Sequence, residues 1–265
     1  MELTVQGQTV FAATGGRPFK ADGPVVVFLH GAAMDHTCWS TQTRYFAHHG
    51  YGVLAPDLPG HGRSAGRPLD SVAALSDWVL ALLDAAGVAQ AALVGHSLGS
   101  LISLETAGRA PGRVAALGLI ATAVPMAVNP AFQGLARDET PKAIGLMMEW
   151  SFARQNHIGG SPTPGLWMTG AATRLVERAA PGLLAHDLGV AAGYAGGLEA
   201  AAKVACPTLL ILGAADQMTP RKAGEAVAKA IPGSRIAIIP GAGHMMMAER
   251  PDDTLDALRS LLDRK

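Results

Sequence analysis

A chain of 265 residues, 49% hydrophobic and 16% charged, can bury one sizeable core and is too apolar to be disordered. Lysine plus arginine balances aspartate plus glutamate at 21 each, which leaves no electrostatic footprint for nucleic acid. The two cysteines, Cys38 and Cys206, are too few for a disulfide scaffold, no apolar run could span a bilayer, and residues 1–7 lack a secretory signal; the expectation is a cytoplasmic protein.

In chain order, residues 2–5 and 8–14 read as an antiparallel pair turned at Gly7. Pro24-Val25-Val26-Val27-Phe28-Leu29 is a continuous apolar run ending in His30-Gly31, the profile of a strand buried on both faces. A helix over 40–49 and a strand at 53–55 follow. Then comes a loop dense in turn formers, Pro56-Asp57-Leu58-Pro59-Gly60-His61-Gly62-Arg63-Ser64. Ser71 caps an amphipathic helix carrying Val72, Leu75, Val79, Leu82, Leu83 and Ala86, with Gly87 at its left-handed end. Ala91-Ala92-Leu93-Val94 is the next strand, a buried helix runs to about Ala110, and residues 114–120 form another strand.

This alternation predicts an α/β fold, a doubly wound, mostly parallel sheet flanked by helices. It stops at Pro125. Residues 125–203 carry no strand-like run. Thr140-Pro141 opens a helix with Ile144, Met147, Met148 and Phe152 on one face, a Gly/Pro loop over 159–165 follows, and further helices start near Trp167 and Pro181. The segment reads as a helical cap inserted after the sixth strand, between core segments 1–124 and 204–265. The alternation resumes with strands at 208–212 and 235–239 and helices at 220–230 and from Pro251 to the Arg264-Lys265 end.

Gly95-His96-Ser97-Leu98-Gly99 lies between a strand and a helix. A Gly-x-Ser-x-Gly there is a nucleophile elbow: the turn leaves no room for a Cβ two residues either side of the serine, and the first helical N–H groups face the hydroxyl. A serine needs a base, and the base needs an orienting acid. In a doubly wound sheet both belong at strand C-termini. Asp216 follows the strand at 208–212, His244 follows the strand at 235–239, and Ala121-Thr122-Ala123 after the strand at 114–120 offers no carboxylate.

Four motifs in register carry a resemblance. They are His30-Gly31 with Trp39 downstream, the Asp57, Gly60, Gly62, Ser64 loop, the elbow, and Asp216 with Pro220 followed by Gly241-x-Gly243-His244. Over about residues 10–263 the chain resembles α/β-hydrolase-fold serine hydrolases, among them the small, lidded esterase-like members. The resemblance implies Ser97 as nucleophile, His244 as base and Asp216 as its orienting acid. It implies Leu98 N–H and Ala32 N–H, with Ala33 the nearby alternative, as oxyanion donors. It also implies a cofactor-free enzyme acting on a small ester-like molecule. Carbon–carbon bond hydrolases, enol-lactonases, thioesterases, perhydrolases and acyltransferases share that triad, and a small-molecule receptor could share the fold.

The remaining histidines read as structural. His96 points into packing, His30 is a hydrogen-bonder in the oxyanion loop, and His61 is part of a turn. His48 and His49 sit about 100° apart on a helix and make a poor metal pair. His36, His157 and His186 read as solvated loop or cap residues. Gly60-His61-Gly62 lacks the lysine and helix of a phosphate loop. No metal spacing is present. Apart from Met1, every methionine falls in a catalytic-edge loop or in or beside the cap. This suggests an apolar substrate site involving Met34, Met218 and Met245 with Trp150 and Trp167, or else simple packing of cap on core.

Overall fold

The computed structural model describes residues 1–160 and 165–263, so the middle of the 159–165 loop and the Arg264-Lys265 end lie outside the described residues. Eight strands form one sheet: β1 (Glu2–Val5), β2 (Gln8–Ala13), β3 (Val25–Leu29), β4 (Gly52–Pro56), β5 (Ala91–His96), β6 (Val114–Ile120), β7 (Thr208–Gly213) and β8 (Arg235–Ile239). Their spatial order is β1-β2-β4-β3-β5-β6-β7-β8. The first two strands pair antiparallel, β2 meets β4 antiparallel, and β4 through β8 are parallel.

The apolar run of β3 shows why the sheet is covered on both sides. Val25, Val27 and Leu29 face one core and Val26 and Phe28 face the other, as the two-residue period of a strand requires. The first core is closed by α2 (Val72–Ala85) and α3 (Leu98–Arg109), the second by α1 (Ser40–His48) and α11 (Pro251–Leu262). Ser71 Oγ accepts the Ala74 N–H at 3.1 Å to start α2, and Gly87 stands at φ +68 beyond its end. On the last strand pair α9 (Arg221–Ala230) packs against β7 and β8.

Between β6 and β7 the chain is helical: α4 (Pro130–Asp138), α5 (Thr140–Ser151), α6 (Met168–Glu177), α7 (Leu183–Ala192) and α8 (Gly197–Ala202). Two of these, α4 and α8, are not anticipated from periodicity. α4 begins with Asn129 Oδ1 accepting the Ala131 N–H at 2.8 Å and Pro130 in the first turn, but it buries only Phe132 and Ala136. α8 has six residues and opens on Gly197. A further helix, α10 (Met246–Glu249), replaces the loop expected after His244, closed by the Glu249 N–H donating to Met245 O at 2.9 Å. Met246 and Met247 therefore sit in a helix of the sheet domain. The pattern of methionines confined to loops and the helical segment does not hold there.

Candidate active site

β4 and β5 flank β3 on opposite sides, so the strand order reverses there, and Ser97 follows β5 at that reversal. Ser97 has φ +52 and ψ −117, a conformation that L-residues adopt only when their surroundings impose it. Those surroundings are the two glycines. A Cβ on Gly95 would collide with the backbone of Gly99, and one on Gly99 would collide with the carbonyls of Leu29 and His30. The strain is thus held by close passage of backbone past backbone. Leu98 opens α3, so its N–H is one of the helix's unpaired donors beside the hydroxyl. Ser97 Oγ lies 4.0 Å from Met126 Sδ and makes no hydrogen bond to His244.

His244 is 3% exposed and its Nδ1 lies 3.0 Å from Asp216 Oδ2. Thr219 Oγ1 donates to the same carboxylate oxygen at 2.7 Å and stands 3.2 Å from His244 Nδ1. The other oxygen, Asp216 Oδ1, accepts the Met218 and Thr219 N–H groups, each at 2.9 Å. Burial works to raise the Asp216 pKa, but the His244 charge and hydrogen bond with the Thr219 donors outweigh it, and the carboxyl is held below its ordinary range. An ionised Asp216 accepting from Nδ1 fixes the tautomer that leaves Nε2 with a free lone pair. Thr219 was not anticipated; it lies three residues after Asp216, within reach of its carboxylate.

His96 and His30 behave as the surrounding packing demands. His96 Nε2 donates to His244 O at 3.0 Å, its ring lies 4.8 Å from that of His244, and its buried Nδ1 has no partner. Burial, aided by His244, lowers its pKa to about 3. His30 donates from Nδ1 to Gly31 O at 2.9 Å and accepts the Leu58 N–H on Nε2 at 3.0 Å, and burial lowers its pKa to about 4. Both rings are neutral braces.

The loop after Gly31 shows how Ala32, expected as an oxyanion donor beside Leu98, differs from its alternative Ala33. Ala33, at φ +53, donates its N–H to Asp187 Oδ2 at 2.8 Å, so it is already engaged. Ala32 N–H has no partner among the described residues. Asp187, on α7, also meets His61 Nε2 at 2.8 Å, while His61 Nδ1 faces Pro59 O at 3.0 Å. Burial works to lower the His61 pKa, yet the Asp187 bond and charge prevail and raise it. His61 is in its turn as expected, but its buried ring is an ion-pair partner. The signal for Asp187 was a carboxylate on the apolar face of a helix, beside Leu184, Leu188 and Ala191.

A second buried carboxylate, Glu249, serves the His244 loop. Its Oε1 accepts the Gly243 N–H at 2.8 Å, and its Oε2 accepts the Ala153 N–H at 2.8 Å and Asn156 Nδ2 at 2.6 Å. The His244 N–H in turn donates to Ser151 O at 2.7 Å. Among the residues expected near substrate, Met34 and Met245 are buried and Met218 is half-buried, its Sδ accepting from Ser151 Oγ at 3.0 Å. Trp150 packs on the Phe132 ring at 5.1 Å, and Trp167 is 71% exposed. A cavity of about 450 Å³ reaches Met245 and Met247 beneath Met168 and Leu175, without touching Ser97. Asp35, His36 and Asp57 lie close enough to share a cation, but Asp57 already accepts from His36 and Arg63, and Asp35 from Thr37 and Arg178.

The model of the alpha/beta hydrolase family matches residues 26–257, most of the chain. The chain belongs to that family. This hydrolase is 32% identical over 231 residues to RutD of Klebsiella pneumoniae (strain 342), provisionally named a carbamate hydrolase, covering 83% of the chain and 84% of RutD. It is 28% identical to the pimeloyl-[acyl-carrier protein] methyl ester esterase of Chromobacterium violaceum, across 91% of the chain and 95% of the esterase. At 42% identity it matches 123 residues of an acetoin-cleaving dihydrolipoyllysine acetyltransferase component from Pseudomonas putida, 42% of the chain and about a third of that protein's length (32%). Its fold superposes on the enol-lactonase of Burkholderia xenovorans LB400 with a TM-score of 0.88, at 21% identity over the whole of both chains. Among the described residues no helix is long and apolar enough to cross a membrane.

Proposed function

We propose that this hydrolase cleaves a carboxylic ester with a small to medium apolar acyl or alkyl group, through an acyl-enzyme on Ser97. In this reading residues 1–124 and 204–265 are the core domain and 125–203 a cap over the site. The observation that carries it is the pair formed by Asp216 and His244 Nδ1, which frees Nε2 to act as base, on a loop bonded through His244 O to His96, the neighbour of the strained Ser97. The esterase among the relatives supports an ester over other acyl bonds. Half-buried free cysteines at Cys38 and Cys206 suit a reducing cytoplasm.

Ser97 Oγ attacks the ester carbonyl carbon while His244 Nε2 takes the hydroxyl proton, after a turn of the serine side chain away from Met126. Apo sites are commonly looser than their substrate complexes. The carbonyl oxygen becomes an oxyanion facing Leu98 N–H and Ala32 N–H. Collapse breaks the bond to the alcohol oxygen, which leaves with the proton from His244. A water molecule then attacks the acyl carbon, gives its proton to His244, and the acid departs as Ser97 Oγ regains that proton. Methionines Met34, Met126 and Met245 offer polarizable surface for apolar groups.

A screen of p-nitrophenyl esters graded by acyl length, with a ring-fission dienone and a lactone alongside, tests this. The highest kcat/KM should fall on an apolar ester, and Ser97→Ala should lower kcat by roughly a millionfold. Preference for the dienone or the lactone would move the activity to carbon–carbon or lactone cleavage. Preference for charged acyl groups would remove the apolar site.

A further inference from the structure

We propose that Asp187 is a positioning residue for the reaction: its carboxylate, brought by the cap, fastens Ala33 and His61 so that the Ala32 N–H is set for the oxyanion only when the cap is seated. The inference rests on the hydrolase reading above. It starts from two buried side chains that the attack on the ester does not itself use. Asp187 is 3% exposed and His61 is 3% exposed, and they meet across 126 positions of sequence. A carboxylate is carried to such a place at a cost, which only paired and hydrogen-bonded surroundings offset.

Asp187 Oδ2 accepts two donors at 2.8 Å, the Ala33 N–H and His61 Nε2. His61 Nδ1 faces the carbonyl of Pro59 at 3.0 Å. With acceptors at both nitrogens, both carry protons, and the ring is an imidazolium matched to the aspartate. The groups facing that ring are Asp187 on α7, Asp57 after β4 and His30 after β3, whose ring lies 5.1 Å away. His30 is neutral, and Asp57 is taken up by His36 and Arg63, so Asp187 is the counter-charge that touches His61.

The consequence lies one peptide away. Ala33 is held at φ +53, a conformation an alanine keeps only when something restrains it, and the restraint on its N–H is Asp187. The Met34 N–H donates back to Gly31 O at 3.2 Å, so Gly31, Ala32 and Ala33 form one tight turn. Fixing Ala33 fixes the peptide that presents Ala32 N–H. Lifting the cap removes the acceptor from Ala33 and the counter-ion from His61 in one movement. Closure and completion of the oxyanion site become a single event.

The test uses the full chain with p-nitrophenyl butyrate as substrate, each rate normalised to the fraction labelled by a fluorophosphonate. Asp187→Ala should lower kcat roughly 30- to 100-fold with KM within about threefold, and weaken a trifluoromethyl ketone in step with kcat/KM, since its adduct also carries an oxyanion. In the wild type kcat should decline as pH rises through the raised pKa of His61. Asp187→Asn should lose that alkaline limb, because an amide oxygen in place of Oδ2 still accepts from Ala33 but carries no charge to hold the second proton on His61. Unchanged kcat per labelled site in Asp187→Ala, or a loss carried by KM alone, overturns the proposal. If Asp187→Ala does not fold, an alkaline limb persisting in Asp187→Asn overturns it. Failure of the wild type to label or turn over overturns the hydrolase reading and this inference together, whereas labelling with wild-type rates in both variants overturns the inference alone.

Discussion

Two buried carboxylates tie the helical segment between β6 and β7 to the loops after β8 and β3, and their charges are satisfied in different ways. Glu249 ends α10 and reaches the helical segment, where Ala153 and Asn156 donate to it, as does Gly243 beside His244. Its donors are neutral, burial outweighs them, and its carboxyl is raised above the ordinary range. Asp187 lies on α7 of that helical segment, and one of its donors is the titratable ring of His61 after β4. The His244 loop is therefore held by a clamp with no basic partner to lose, and the Ala32 loop by one that weakens when a proton leaves. The loop at His244 should be stiff, and the loop at Ala32 should respond to pH.

Breaking the stiff side should cost most. Glu249→Ala leaves the buried Gly243 and Ala153 N–H groups without an acceptor, while Asn156 Nδ2 keeps Gly241 O at 3.0 Å, so urea unfolding should show a loss of about 3–5 kcal/mol, with Glu249→Gln milder because its carbonyl can still accept. Acid should come next. His30 and His96 are neutral in the fold, with pKa values of about 4 and about 3, while unfolded histidine titrates near 6.5. The unfolded chain therefore binds more protons between these limits, and stability should fall as pH drops below about 6.5, by on the order of 3 kcal/mol at about pH 5.5. A flat stability profile from pH 7 to 5 would contradict the neutral assignment of both rings.

The responsive side predicts a smaller effect of opposite direction. His61 has a raised pKa, so its contribution is full below about 6.5 and is lost as pH rises through the folded value. Thermal midpoints of the wild type should decline over that rise, those of Asp187→Asn should not, and Glu249→Gln should keep the wild-type slope. The smallest effect belongs to Trp167→Ala, at a residue 71% exposed, which should change stability by less than about 0.5 kcal/mol.

Much of the frame was legible because it is local. Apolar runs mark β3 and β5 through β8, the alternation marks the parallel sheet, and the serine and histidine announce themselves by their glycine neighbours. What was not legible depends on distance. His61 reads as part of a turn because nothing near it in sequence names Asp187, and the two meet only after α7 is laid over β4's loop. The engagement of Ala33, the alternative to Ala32, was hidden for the same reason, since its N–H donates to Asp187 across 154 positions of sequence. The short helices α8 and α10 escaped because four to six residues give periodicity too little length to register.

Ser97 is the proposed nucleophile. Intact-mass analysis after a fluorophosphonate probe tests it most directly. The wild type should gain one adduct, and Ser97→Ala should gain none under the same conditions. Labelling that persists in Ser97→Ala would contradict the assignment.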